Sequence, residues 1–232
     1  MRKKITLVGA GNIGGTLAHL IALKQLGDIT LIDIAKGVPQ GKALDLSQSS
    51  AVELFDIKID GSNNYSSLKN SDVVIVTAGL PRMPGMSRDD LIETNTKIIS
   101  TIGQAINKFC PKAFIICITN PLDAMVSILQ SSSKINKNMC VGMAGILDSS
   151  RLKFFLSKEL NVSIKNIETF VLGGHGDTMV PLVRYTTISG VPIQEFVKKK
   201  LINQKKLNSI LKRTQNGGGE INKLLKKGSA FY

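Results

Sequence analysis

Short runs of consecutive apolar residues alternate along this chain with longer stretches whose apolar positions recur every three or four residues. Ile5–Val8, Ile29–Ile32, Val73–Thr77, Phe114–Ile118 and Cys140–Met143 have strand length, and Ile57–Ile59 is a weaker run of the same kind. Between the first two, Ile13, Leu17, Leu20 and Ile21 fill one face of a helix that Gly27 ends. Gly41–Ser49 predicts a short helix, Arg88–Lys108 a long one, and Pro121–Gln130 a helix with Pro in its first turn. Strand and helix in alternation predict an α/β fold, a doubly wound parallel sheet of the Rossmann kind with helices on both faces. The pattern changes after about Gly145. A helix over Ser149–Leu160 is followed by strands near Glu168–Leu172 and Leu182–Ile188, and the remainder reads as helical and Lys-rich. Two domains are expected, 1–145 and a smaller α+β domain over 146–232.

Composition narrows the class. Hydrophobic residues make up 43% of the 232, with no Trp, which is a globular composition. No apolar run approaches the roughly 18 residues that span a bilayer, so no membrane partner is expected. The charged start Met1-Arg2-Lys3-Lys4 is followed by an apolar run that reaches Gly9 at once, too short for a signal peptide. Three cysteines, Cys110, Cys117 and Cys140, form no CxxC pair and sit among apolar neighbours. They read as buried thiols of a reducing, cytoplasmic compartment, with no metal site. The net charge of +13 first suggests nucleic acid. Its distribution argues otherwise: residues 1–190 carry 20 basic and 15 acidic residues, whereas 191–232 carry 10 and 2. This C-terminal Lys cluster, with no aromatics interleaved for base stacking, reads as a solvated helix face.

Candidate chemistry begins at Gly9-Ala10-Gly11-Asn12-Ile13-Gly14, a GxGxxG that follows a strand, opens a helix, and has Asp33 at the end of the next strand. In that context the glycines allow a tight turn, close approach of backbone to a pyrophosphate, and close helix packing. The helix N-terminus offers free N–H groups to phosphates. Asp33 suits the ribose hydroxyls and would repel a 2′-phosphate, so NAD is expected over NADP. His175, in Gly173-Gly174-His175-Gly176-Asp177, is one of two histidines; His19, inside the first helix, is assigned no chemistry. Leu80–Arg88 is a Pro/Gly loop after a sheet strand, with Arg82 and Arg88 suited to a polyanionic ligand. Asp148 and Arg151 stand three apart at a helix start, and Asn120-Pro121 at a strand end.

As a set, in this order and spacing, these stretches resemble the malate and lactate dehydrogenase family over the whole chain. The resemblance implies an NAD-dependent oxidoreductase acting on a small 2-hydroxy acid. It implies His175 as acid-base residue, Asp148 as its partner, Arg151 as clamp on the substrate C1 carboxylate, and Arg88 polarising the C2 carbonyl. Asn120 would touch both cofactor and substrate, and Asn95, Ile118 and Thr119 would join the glycine loop among the cofactor contacts. At the position of Arg82 the lactate enzymes usually carry Gln and the malate enzymes Arg, so malate and oxaloacetate are expected, as in the tricarboxylic acid cycle. A lactate or broad 2-hydroxy-acid dehydrogenase is the alternative. Two departures accompany the likeness. Met83 stands where relatives commonly carry Lys. The chain also stops at Tyr232, about a quarter short of the family's length, which implies an incomplete second domain. An NAD-binding fragment without turnover is the reading that this end favours. Homo-oligomers are the family's habit, and the short end puts one in doubt here.

Overall fold

The computed structural model describes residues 2–81, 88–176 and 178–226. Their contacts cluster into two units, one over Met1–Gly142 and the other beginning at Met143.

In the first unit six strands pair in parallel: β1 (Lys4–Val8), β2 (Asp28–Ile32), β3 (Ile59–Ser62), β4 (Val73–Val76), β5 (Phe114–Cys117) and β6 (Cys140–Gly142), in the order β3-β2-β1-β4-β5-β6. The order reverses at β1, which pairs with β2 on one side and β4 on the other. In open α/β sheets ligands bind beyond the strand C-termini at such a reversal. Four helices cover the sheet: α1 (Asn12–Leu23), α2 (Val38–Glu53), α3 (Arg88–Phe109) and α4 (Leu122–Ser133). Leu7, Ile29 and Leu31 of the strands bury with Ala18 and Ile21 of α1 in one core. Ile99, Ile102 and Ile106 of α3 and Met125 and Leu129 of α4 are fully buried as well. The period of three to four in these helices is therefore the period of the faces they bury.

Two predicted elements of this unit shift. The second helix is longer than Gly41–Ser49: it starts after Gly37, whose φ of +80° turns the chain, takes Pro39 into its first turn, and ends at Leu54 in the left-handed region. The third strand lies at Ile59–Ser62 and not at Ile57–Ile59, because its register against β2 pairs Ile29 with Ile59. Its polar residues fit that place through Gly61, where a Cβ would stand 2.2 Å from the Pro39 carbonyl oxygen.

In the second unit α5 (Gly145–Leu160) is followed by β7 (Ile167–Glu168), β8 (Val171–Gly173), β9 (Met179–Pro181), β10 (Thr187–Ile188) and β11 (Val191–Pro192), then α6 (Ile193–Lys198), α7 (Gln204–Gln215) and α8 (Gly217–Leu225). The strands make two small antiparallel sheets, β11-β10-β7 and β8-β9. The expected strand over Glu168–Leu172 is thus two strands in different sheets. The expected strand over Leu182–Ile188 is mostly a 3-10 turn, Val183–Tyr185, and only Thr187–Ile188 pairs. Apolar residues there mislead because the chain bends: Leu182 N–H donates to Phe170 O at 2.8 Å, and buried Thr169 and Thr186 hydroxyls bond at 2.7 Å. Leu152, Leu156, Ile193, Leu207 and Ile210 form this unit's core. Leu207, Ile210 and Thr214 of α7 face inward, while Lys205, Lys206 and Lys212 face solvent. Lys206 pairs with Glu159 at 2.9 Å and Lys198 with Glu195 at 2.6 Å, so the basic stretch is partly neutralised at its surface. Among the described residues no helix is long and apolar enough to cross a membrane.

Candidate active site

The glycine loop sits where β1 ends, beside the end of β4. Gly9 has φ +109°, and a Cβ there would lie 2.6 Å from both Ala78 N and Thr77 Oγ1. A Cβ at Gly14 would lie 1.9 Å from the Gly9 carbonyl oxygen. Both positions are closed to any side chain. Gly11, the N-cap of α1, differs: a Cβ there would meet nothing within 4 Å. The loop is therefore packed on its inner side and open at its crown. There the first turn of α1 has N–H groups without intrahelical acceptors. Thr77 Oγ1 donates to Gly9 O at 3.0 Å, tying β4 to the loop. Asp33 accepts from Ala10 N at 2.7 Å with one oxygen and from Ala35 N at 2.9 Å with the other.

A cavity of about 420 Å³ runs beside these groups, lined by Gly9, Gly11, Asp33, Tyr65, Thr77 and Gly79 among others. Burial, and then the charge of Asp33, push the Tyr65 phenol up, so it stays a neutral hydroxyl. At the far strand ends, Thr119 Oγ1 donates to Ala78 O at 2.7 Å, and Asn95 is wholly buried. Its Oδ1 accepts from Leu80 N at 2.8 Å, while its Nδ2 donates to Leu80 O at 3.2 Å and Asn120 O at 2.8 Å.

In the second unit one carboxylate organises the other candidate residues. Asp148, in the first turn of α5, is 2% exposed, and its Oδ2 lies 2.9 Å from His175 Nδ1. Its Oδ1 accepts from Arg151 Nη1 at 3.1 Å, one helical turn along. A carboxylate only accepts, so Nδ1 is the donor of this pair, and in the neutral imidazole the lone pair is on Nε2. His175 reaches Asp148 from the chain after β8, where Gly173 (φ +83°) and Gly176 (φ +153°) permit the turn. The two segments are braced: Val171 N–H donates to Ser149 Oγ at 2.9 Å. A Cβ at Gly145 would stand 2.9 Å from Val171 O. A histidine held at one nitrogen by a buried carboxylate, beside a guanidinium, can move a proton at the other nitrogen next to a bound anion.

Residues 3–142 match the lactate/malate dehydrogenase NAD-binding domain, and residues 146–232 the α/β C-terminal domain of the same family. The chain belongs to the lactate/malate dehydrogenase family. It is 59% identical over 231 residues to a malate dehydrogenase of Paramagnetospirillum magneticum, covering 100% of this chain and 72% of that protein. A malate dehydrogenase of Francisella tularensis is 58% identical over the same shares. Among solved structures, Cryptosporidium parvum malate dehydrogenase superposes with a TM-score of 0.97 at 51% identity, covering 100% of this chain and 74% of that one. Lactate dehydrogenase from Eimeria maxima, with NADH and oxamate, gives 0.95 at 51% identity, covering 100% and 70%.

As a member of this lactate/malate dehydrogenase family the chain is an NAD-dependent oxidoreductase, with the doubly wound fold expected of it. The groups at the sheet reversal fit the cofactor: an open crown at Gly11, free N–H groups behind it, and the Asp33 carboxylate beside the same cavity. Of the residues singled out by sequence, Gly9–Gly14 and Asp33 come together in one unit, and Asp148, Arg151 and His175 in the other. Arg82 lies outside the described residues, and Arg88 is described only as the first backbone position of α3. Asn95, expected among the cofactor contacts, is buried, and its amide is bonded to the backbones of Leu80 and Asn120 at the strand ends beside that cavity. Ile118 packs against the first core, and the Thr119 hydroxyl is engaged with Ala78. Thr77 and Ser149, hydroxyls within stretches that resemble the family, were given no role by the sequence. It also passed over Lys42, whose Nζ donates to Gly11 O at 2.9 Å. No local pattern marks Lys42, since its partner is 31 residues away.

Proposed function

We propose that this chain interconverts malate and oxaloacetate with NAD, using His175 as the acid-base residue. The observation that carries the mechanism is the buried Asp148 carboxylate, with His175 on one oxygen and Arg151 on the other. NAD, when bound, accepts the hydride from C2 of malate. His175 Nε2 takes the hydroxyl proton as that bond to hydrogen breaks, and returns it in the reverse direction. Asp148 keeps the proton on Nδ1 and stabilises the imidazolium that forms. Arg151, oriented by Asp148 through one N–H, has donors left for the substrate C1 carboxylate. Asn120, by its place at a strand end, would contact cofactor and substrate, and Arg88 would polarise the C2 carbonyl. Arg82 would pair with the C4 carboxylate that malate has and lactate lacks.

Malate over lactate is supported by Arg82 in the sequence and by relatives named malate dehydrogenase at 58–59% identity. The lactate reading draws on the Eimeria maxima enzyme, 51% identical. Steady-state rates with NADH on oxaloacetate and on pyruvate separate the two. The expected result is a kcat/KM far larger on oxaloacetate, and an Arg82→Gln variant whose ratio moves toward pyruvate by roughly 30-fold or more. This is the scale of a carboxylate pair losing one partner, about 2–5 kcal/mol. Equal loss on both substrates would return Arg82 to a structural role. A cytoplasmic setting is supported by three buried, unpaired thiols. Assembly into a homo-oligomer is the family's habit and is read by sedimentation.

A further inference from the structure

Within the second unit the side chain of Arg151 is confined twice. Asp148 Oδ1 accepts from its Nη1 at 3.1 Å. Along its stem it meets the start of α8: a Cβ at Gly217 would stand 2.8 Å from Arg151 Cδ and 3.2 Å from Nε, and one at Gly218 would stand 3.6 Å from Nη2. The backbone of α8 thus lies directly on the arginine. That backbone is a poor helix start by itself. It opens Gly217-Gly218-Gly219, and its N-cap residue Asn216 turns its amide back to Lys212 O at 3.1 Å and does not cap it. The hold on this turn comes from Arg213. Its Nε and Nη2 donate to the two carboxylate oxygens of Glu220, in the first turn of α8, at 2.8 and 2.6 Å. Its guanidinium also lies over the Phe155 ring, 4.3 Å from the centroid. Phe155 stands four residues after Arg151 on α5, one turn along the same helix. Hydrogen bonds from Arg213 hold Glu220 below the ordinary carboxylate value, so the pair is ionised at neutral pH.

We propose that Arg213 is a positioning residue for Arg151: through its fork to Glu220 and its stack on Phe155 it seats the glycine-rich start of α8 against the Arg151 side chain. This rests on the reading of Arg151 as the clamp on the substrate C1 carboxylate. A long, rotamer-rich side chain loses conformational freedom when it grips an anion, and a wall that confines it beforehand lowers that cost. Arg213 touches neither substrate nor cofactor in this scheme, so its effect falls on substrate affinity and leaves the cofactor site alone.

The test takes the whole chain through oxaloacetate kinetics, NADH titration and NMR of its arginine side chains. Arg213→Gln is expected to raise KM for oxaloacetate by roughly three- to fivefold, the size of one partly exposed pair, with kcat within about twofold and NADH affinity unchanged. Glu220→Gln takes the pair apart from its other end and should show the same split. In an Arg151→Lys background Arg213→Gln should add nothing, because the two residues act as one unit. The same loss in both backgrounds would overturn the proposal. So would an unchanged KM in both single variants, or a joint fall of kcat and NADH affinity, which would make the pair a general brace of the fold. A second readout needs no turnover. The chain has only six arginines, so the Nε–H signal of Arg151 is assigned by its loss in Arg151→Lys. Its order parameter should fall in Arg213→Gln and in Glu220→Gln, and an unchanged value in both would overturn the proposal. If Arg151→Lys itself leaves KM unchanged, the clamp reading fails instead, and the order parameter still decides whether Arg213 confines Arg151.

Discussion

At the scale of single residues the proposed chemistry rests on which nitrogen of His175 faces away from Asp148. Asp148 occupies Nδ1 at 2.9 Å, so replacing either partner has a different signature. His175→Asn removes the proton acceptor, and turnover is expected to fall by about two to four orders of magnitude while NADH binding persists. Asp148→Asn keeps the shape but can donate to Nδ1, favouring the wrong tautomer, and it leaves Arg151 without its anion. A large loss in kcat together with a raised KM is expected, and near-parental rates in either variant would make the pair structural. The cysteines give an independent residue-scale prediction. Burial pushes Cys110 up to about 11 and Cys117 up to about 12, from an ordinary thiol value of 9.0. Folded protein at pH 8 should therefore leave both unmodified by a thiolate-seeking reagent that labels the denatured chain at once. These are acids whose folded pKa is raised, so their contribution to stability is complete below about 9 and is lost as pH rises through the folded values. Urea midpoints should accordingly fall between pH 9 and 11, and a flat profile there would contradict the burial.

At the scale of elements the strand-loop-helix from β1 to α1 separates folding from binding by neighbouring glycines. Gly14→Ala forces a methyl to within 1.9 Å of Gly9 O, where the neighbour is backbone and cannot swing away. Overpacking of this kind costs about 1–3 kcal/mol or more, so both stability and NADH affinity should drop. Gly11→Ala meets nothing within 4 Å, and its φ of −70° suits alanine. Its stability should stay within about 1 kcal/mol of the parent, as for a mild N-cap change. NADH affinity should still fall, because the methyl stands in the space the diphosphate takes. Chemical denaturation and NADH titration of both variants read the two effects separately, and parallel losses in both variants would remove the distinction. The GxGxxG spacing assigns the turn to Gly9, the approach of a pyrophosphate to Gly11 and close packing to Gly14, and the tight surroundings of Gly9 and Gly14 beside the open side of Gly11 support that division.

At the scale of the whole molecule, cofactor binding and stability are linked. NADH at one hundred times its Kd should stabilise the folded chain by about 2.7 kcal/mol, which a thermal melt with and without NADH detects. A Tm that does not rise with NADH would mean that the first unit does not bind it. Much of the first unit was legible in the sequence, because its strands are continuous apolar runs, its helices bury one periodic face, and its loop chemistry is local. The glycine loop and Asp33 are read from spacing alone for the same reason. In the second unit the pattern was less informative. Strands of two or three residues carry too little periodicity, and the bend at Leu182–Thr186 is held by a threonine pair that no local signal announces. Of the candidate site, Asp148, Arg151 and His175 were named through the family resemblance of their motifs. Only the tertiary structure decided that a single carboxylate holds both partners, that Asn95 is buried against Leu80 and Asn120, and that Lys42 reaches Gly11 O. Each of these is a contact between residues distant in the chain. Such contacts depend on register and side-chain packing, which a one-dimensional pattern of polarity does not contain.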